Sequence, residues 1–291
     1  MQVVIHAGAI STDEGRILKS LLANKGALVQ QGVTVPGPGK FKPLFKEALD
    51  SMESKPPSPS TREILEDAIL DGEDASRVVL SNEHFFGAQW SAIRDDQFYP
   101  LAGPRMAYLD ELFLGAQVEL FMGLRNPASF IPKVLMSLSP KHREDVMNLT
   151  DISYLSWLTM VEDIVDLAPN VRMTLWCNED TPLIWGDIIR AMSGLAPDAP
   201  LRNEFTFLSS LLSETGKRAL KELIAQQSAS NTAIQSDQLA EIFRAFAEPE
   251  KIQEELDFPG WSEDVVEAFT TIYHQDLAEI QTIPGIRFLT P

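Results

Sequence analysis

The sequence predicts an α/β protein in which a parallel sheet is flanked by helices. Four short apolar runs, of the kind found in strands that are buried on both faces, alternate with amphipathic helical patterns. These runs cover residues 2–6, 77–81, 117–124 and 171–176. A turn of small residues that contains a glycine follows the first run, and we therefore expect the first strand to be central in the sheet.

Helical patterns fill the segments between and after these strands. The first helix places Ile17, Leu18, Leu21 and Leu22 on one side, as expected of a helix that packs on a sheet. Glycines and prolines mark residues 31–42 as a loop. Further helices are predicted over residues 41–52, 61–70, 104–114, 128–138, 152–167, 183–193, 204–211, 217–227, 237–247 and 262–280, and an extended segment over 286–289.

The length of the chain fits a single α/β domain with a helical elaboration. All 291 residues are assigned to this domain, and residues 182–281 to a helical part that packs on one end of the sheet. The apolar positions of that part are amphipathic and need a surface to cover them. We therefore expect it to belong to the domain and not to fold by itself.

The composition indicates which kinds of partner and which cell compartment to expect. The formal net charge of −18 repels nucleic acid and anionic lipid, so neither is an expected partner, and the oligomeric state is left open. No run approaches the roughly 18 apolar residues that a membrane span needs. The chain begins with a strand and not with a signal peptide. Cys177, the only cysteine, excludes an internal disulfide framework, and we expect a cytoplasmic protein.

Any chemistry should lie beyond the carboxyl ends of the strands, where parallel sheets bind their ligands. Residues 6–15, 81–84, 125–129 and 177–180 occupy those positions. Several short motifs lie in or near these positions and follow one another along the chain. His-x-Gly-Ala ends the first strand, Ser-x-Glu the second and Arg-Asn-Pro the third, and a Trp-Cys-Asn-Glu-Asp segment and a Gly-Ile-Arg-Phe-Leu-x-Pro tail follow.

This order of motifs resembles the sulfotransferase family, in particular the bacterial sulfotransferase-like proteins of the P-loop superfamily. The resemblance spans most of the chain and implies a P-loop NTPase-like fold. It implies 3′-phosphoadenosine 5′-phosphosulfate as the donor and a hydroxyl or amine acceptor on a small molecule or glycan, with no metal. The loop positions that it assigns to the donor are Gly8, Ala9, Ser11, Thr12, Gly15 and Arg16.

The loop departs from the family pattern, which reads approximately Gly-x-x-Lys-[Ser/Thr]-Gly-Thr-[Thr/Ser]. Ser11 stands in place of the lysine, and Asp13 and Glu14 add negative charge. The alternative is a capping box with Ser11 as N-cap and Glu14 reaching back. At about 4 Å each carboxylate would repel a bound phosphate by roughly 4 kcal/mol at an effective dielectric constant of about 20. We therefore expect the donor to bind weakly or not at all.

The ends of the other strands supply the remaining candidates. Arg125 matches the family arginine that grips the 3′-phosphate, and Lys133 stands where the family has a serine partner. The alternative is that Arg125 pairs with a nearby carboxylate, such as Glu83 or Glu119, and fixes the sheet edge. Glu83, and second His84, match the position of the base that removes the acceptor proton, although such a pair can also be structural.

Other patterns favour structural roles. His6 and Cys177 follow apolar residues and are predicted to be buried, and the acidic loop 178–180 is predicted to cap the next helix. Three functions remain open: an active sulfotransferase with an altered loop, a non-catalytic descendant that binds another ligand or a protein, and a small-molecule kinase or nucleotide hydrolase. The third is disfavoured because the Walker lysine and its Ser/Thr are absent.

Overall fold

A computed structural model describes residues 1–52, 54–70, 72, 74–230, 234–254 and 257–291, with the backbone alone described at 228–230. Eight strands lie in these ranges. They are β1 Gln2–His6, β2 Val33–Thr34, β3 Arg77–Ser81, β4 Ile93–Arg94, β5 Gln97–Phe98, β6 Gln117–Leu124, β7 Arg172–Cys177 and β8 Ile286–Leu289.

Six of these strands form one parallel sheet in the order β2-β3-β1-β6-β7-β8, and β4 and β5 form a separate antiparallel pair. β1 is interior and pairs with β3 on one side and with β6 on the other. The predicted fold class and the predicted central position of β1 are therefore confirmed. The strand order is consistent with a P-loop-like α/β fold.

Fourteen helices are described along the chain. They are α1 Arg16–Ala23, α2 Lys25–Val29, α3 Pro38–Asp50, α4 Pro59–Leu70, α5 Ala102–Leu112, α6 Pro127–Ser137, α7 Pro140–Leu149, α8 Trp157–Leu167, α9 Trp185–Ser193, α10 Thr206–Leu211, α11 Glu214–Ser230, α12 Ser236–Phe246, α13 Pro249–Ile252 and α14 Glu263–Ile280.

The two faces of the sheet carry separate apolar cores, because successive strand residues point to opposite faces. Val3 and Ile5 of β1 pack in the larger core, which includes apolar residues of α3, α4, α5, α6, α8 and α14. Val4 packs on the other face with Ile17 and Leu21 of α1 and with α9. The first helix therefore covers the sheet with three of the four predicted residues, Ile17, Leu18 and Leu21, whereas Leu22 is exposed.

The C-terminal third is largely helical, as predicted. α9 lies against α1 and β3, and α14 lies against α6 and α8, whereas α10, α11 and α12 share a small core of their own around Leu212. Whether this part belongs to a single domain remains a prediction. Among the described residues, no helix is long and apolar enough to cross a membrane.

Several elements differ from the sequence prediction. The short strands β2, β4 and β5 are two residues each, too short to leave a periodic pattern. The helix α7 lies in a segment for which no element was predicted. The predicted helix 152–167 begins only at Trp157, because Ser156 caps it and accepts a hydrogen bond from the N–H of Leu158.

Candidate functional site

The turn after β1 continues the sheet instead of leaving it. The N–H groups of Ala7 and Ala9 donate to the carbonyls of Phe121 and Gly123 at 3.2 and 3.1 Å, and Gly8 accepts from Gly123 at 2.9 Å. Gly8 has φ of +103°, and a Cβ there would lie 2.8 Å from the backbone nitrogen of Ile10, so only glycine fits. These donors are used by β6 and do not face a ligand.

The rest of the loop contradicts the predicted capping box. α1 begins at Arg16 with Gly15 as N-cap, so Ser11 lies four residues too early to cap it. Asp13 caps the helix instead, since its Oδ2 accepts from the N–H of Ile17 at 3.0 Å. Glu14 forms an exposed ion pair with Arg16 at 2.8 Å. Three residues with positive φ (Ser11, Glu14 and Gly15) make the loop longer than the box requires.

The loop positions assigned to the donor contact other groups of the protein. The buried carboxylate of Asp13 lies at the helix start, where an anion would have to sit. Thr12 donates its hydroxyl to the carbonyl of Ala9 at 2.5 Å. The guanidinium of Arg16 lies 5.2 Å from the ring centre of Phe207, beside a small cavity of about 270 Å³ that is away from the strand ends. Lys19 lines the same cavity as Arg16, whereas the cation beside Ser11 is Arg125, whose Nη1 donates to the Ser11 carbonyl at 2.7 Å.

Arg125 lies at the end of β6 with every part of its guanidinium engaged. Its Nε donates to Ser129 at 2.9 Å, Nη1 to the carbonyl of Ser11 at 2.7 Å, and Nη2 to the Glu254 carboxylate at 3.0 Å. The side chain is 7% exposed. The predicted alternative partners were wrong, because Glu119 lies within β6 and pairs with Arg77 at 2.7 Å.

Lys133 and Arg125 share one carboxylate. The ammonium of Lys133, two turns further along α6, lies 3.1 Å from the same Oε2 of Glu254 that Arg125 contacts. Burial opposes the charge of Glu254, but the hydrogen bonds and positive charges of Arg125 and Lys133 outweigh burial and lower its pKa. Two cations thus hold the Glu254 carboxylate, and Ser129 contacts only the arginine.

Glu83 and His84 lie at the end of β3, as predicted. The Glu83 carboxylate is 3.8 Å from Nε2 of His84, and both side chains are partly exposed. His84 lines a cavity of about 920 Å³ between α3, the segment after β3 and the start of α5. In the described part of the structure, Nδ1 of His84 is buried without a hydrogen-bond partner. His84, but not Glu83, therefore lines a space that is large enough for a small molecule.

His6 and Tyr99 stabilise the strand ends from inside. The ring of His6 is buried, with Nδ1 2.8 Å from the hydroxyl of Ser81, and burial lowers its pKa. Tyr99 is also buried, and its hydroxyl accepts from the N–H of Ile10 at 2.9 Å. Burial raises the pKa of Tyr99, so the phenol stays protonated. His6 is the buried histidine that the sequence indicated.

The acidic loop after β7 has a different role from the predicted one. Glu179 accepts from the N–H of Asn126 at 2.9 Å and from the hydroxyl of Tyr273 at 2.9 Å, so it fixes the end of β6. It does not cap α9, which begins later, at Trp185. Cys177 is only partly buried, and burial raises its thiol pKa to about 12. Within the described ranges, no group of three or more acidic, His or Cys side chains is placed to hold a metal.

Sequence reasoning missed Glu254, Tyr99 and Tyr273. Each contacts the strand ends from a distant part of the chain, and Glu254 is 129 residues from Arg125. No local motif marks any of them. Comparison with known proteins adds no name to the site, because no protein-family model matches the chain and no curated protein matches it.

Proposed function

We propose that the protein is a non-catalytic binding protein that keeps a sulfotransferase-like fold and has lost the site for the sulfuryl donor. One observation carries the proposal: the chain's own carboxylates take the places of the donor's anionic groups. Glu254 is held by Arg125 and Lys133, and Asp13 lies at the start of α1.

The electrostatic cost of binding the donor supports the proposal. A phosphate about 4 Å from Asp13 would meet a repulsion of roughly 4 kcal/mol at an effective dielectric constant of about 20. That corresponds to about three decades of affinity. A phosphate near Arg125 would also have to displace Glu254 from two cations. The repulsion by Asp13 and the displacement of Glu254 both oppose binding of the bisphosphate nucleotide and of the sulfuryl donor.

The test is calorimetric titration with adenosine 3′,5′-bisphosphate, the product that the donor leaves behind. The wild-type protein should show no binding at concentrations up to about 1 mM. The double variant Asp13→Asn with Glu254→Gln removes both charges and keeps an oxygen to cap α1. It should bind the nucleotide at least about tenfold more tightly than the wild type. Low-micromolar binding by the wild type would refute the proposal.

Sulfuryl transfer to a hydroxyl or amine acceptor is the second candidate function. The observation in its favour is that His84, 3.8 Å from Glu83, lines a cavity of about 920 Å³, large enough for a small acceptor or a sugar unit. Incubation with labelled donor and a panel of phenols, amines and sugars tests it. Transfer that Glu83→Gln abolishes would support this candidate, and no transfer to any acceptor would exclude it for that panel.

Compartment and partner class follow from composition. The single cysteine supports a cytoplasmic location, and the net charge of −18 disfavours nucleic acid and anionic membranes as partners. A small molecule that enters the cavity beside His84 is therefore the partner that the proposal favours. Fractionation of cells that produce the protein, with antibody detection, tests the location.

A further inference from the structure

The cavity beside His84, which we name the α3 cavity, has the size of a ligand site. Its volume is about 920 Å³, and small-molecule sites are typically about 300 to 1,000 Å³. α3 forms one wall, the segment from the end of β3 to β4 forms another, and the start of α5 closes the base. The cavity is separate from Arg125, Lys133 and the loop after β1.

Positively charged side chains outnumber negatively charged ones around the α3 cavity. Four cationic side chains and two carboxylates line it. Asp50 is shared between Lys46, at 2.5 Å, and Arg105, at 3.2 Å, so one carboxylate balances two cations. Arg94 is balanced by its neighbour Asp95 at 3.2 Å. Lys42 forms no ion pair within the described ranges, which leaves an excess of two positive charges.

This excess stands out because the whole chain carries a net charge of −18. Arg105 contributes a positive charge in a fixed position, since its side chain is only 8% exposed and its Nη1 donates to the carbonyl of Phe85 at 2.8 Å. A buried arginine cannot lose its proton and cannot move away. The cavity therefore holds a fixed positive charge at its base and a free lysine at its rim.

The remaining wall of the α3 cavity is aromatic. Phe45 and Phe85 pack edge to face with ring centres 5.5 Å apart. Trp90 lines the cavity with 44% of its surface exposed, and its ring stacks on His142 with centres 6.1 Å apart. An exposed tryptophan held in one orientation offers a face on which an aromatic ligand can stack.

We propose that the α3 cavity binds a small aromatic anion, an aryl carboxylate in the simplest case. The carboxylate lies near Lys42 and near Lys46 and Arg105, and the aromatic body lies against Trp90. A neutral ligand of the same shape gains only the aromatic contact. This proposal does not depend on the loss of the donor site, because the two sets of residues are different.

The test compares 2-naphthoate with its neutral counterpart 2-naphthamide by calorimetry at low ionic strength. The carboxylate should bind at least about tenfold more tightly than the amide, and added salt should reduce the difference. Trp90→Phe should remove the quenching of tryptophan fluorescence that 2-naphthoate causes. Equal affinity for the two compounds, or no binding of either up to about 1 mM, would overturn the proposal.

A pair of exposed lysines supplies the matched control. Lys42→Glu reverses the free charge at the rim and should weaken 2-naphthoate binding at least about tenfold while leaving 2-naphthamide unchanged. Lys221→Glu makes the same change of charge on α11, far from the cavity, and should leave both affinities unchanged. Both lysines are exposed, so neither variant should unfold the protein. An equal loss in the two variants would show only a general charge effect and would refute a site at the α3 cavity.

Discussion

Glu254→Gln isolates the contribution of the carboxylate that Arg125 and Lys133 share. The substitution keeps the shape of the side chain and removes its charge. Two contacts lose their charge, at 3.0 Å to Arg125 and at 3.1 Å to Lys133. Glu254 is 38% exposed and each contact is screened by water, so a value of about 0.2 to 1 kcal/mol applies to each.

The burial of Arg125 makes the expected loss of stability in Glu254→Gln larger. Its side chain is 7% exposed, and without Glu254 its charge is balanced only by hydrogen bonds to Ser129 and to the carbonyl of Ser11. We therefore expect Glu254→Gln to lower the free energy of unfolding by about 1 to 2 kcal/mol at pH 7. Urea denaturation followed by circular dichroism measures it.

The pH dependence of this loss has a definite sign. The pKa of Glu254 in the folded state lies below the ordinary value of 4.5. The stability that its charge contributes is therefore fully present above that ordinary value and is lost as the pH falls through the lower, folded-state pKa. The stabilities of wild type and variant should converge at acid pH. A difference that stays constant from pH 7 down to acid pH would show that charge is not responsible.

An anion should compensate for the missing carboxylate in the variant alone. Sulfate also stabilises folded proteins without a specific site, so the same salt series must be applied to a control. Glu250→Gln on the neighbouring helix α13 removes one exposed negative charge at a position with no ion pair in the described structure. Sulfate should stabilise Glu254→Gln more than either the wild type or Glu250→Gln. Equal responses of all three proteins would refute an anion site at Arg125 and Lys133.

Two further predictions concern buried groups that support the strand ends. Tyr99→Phe removes the acceptor for the N–H of Ile10 and should lower the free energy of unfolding by about 1 to 3 kcal/mol, whereas Tyr154→Phe at an exposed tyrosine should change it little; urea denaturation checks both. Burial raises the pKa of Asp276, which accepts from the N–H of Trp157 at 2.7 Å. The pKa of Asp276 is higher in the folded state than in the unfolded state. The stability of the wild type relative to Asp276→Asn should therefore fall as the pH rises through the folded-state pKa. Denaturation at pH 4.5 and pH 7 measures this change.

The sheet was predictable because its evidence is local. Each long strand is rich in apolar residues, and such segments are stable in a parallel sheet only when both faces are covered. The four predicted strands accordingly match β1, β3, β6 and β7. β8 also appeared as an extended segment, whereas β2 at two residues has no run to detect.

The loop after β1 was not predictable from its own residues. Ser11 to Glu14 has the spacing of a capping box, and in an isolated peptide that motif would be expected to form. In the protein, Tyr99 binds the N–H of Ile10 and Arg125 binds the carbonyl of Ser11, from 89 and 114 residues away. These tertiary contacts determine the loop conformation, and Asp13 becomes the cap. The local preference for a capping box was overridden by Tyr99 and Arg125, which lie far from the loop in sequence.

The same reasoning explains why the functional question could not be settled from the strand ends alone. Three contacts reach the carboxyl end of β6 and the segment that follows it. Residues of the last third of the chain make two of them and support the third. Glu254 binds Arg125, Tyr273 donates to the carbonyl of Leu124 at 2.7 Å, and Trp157, which donates to the carbonyl of Arg125, is itself held by Asp276. A motif that reads Arg-Asn-Pro indicates a phosphate site only if its arginine is free. Here the segment that follows α13 supplies the arginine's partner, so whether this edge of the sheet binds an anion depends on residues that the motif does not include.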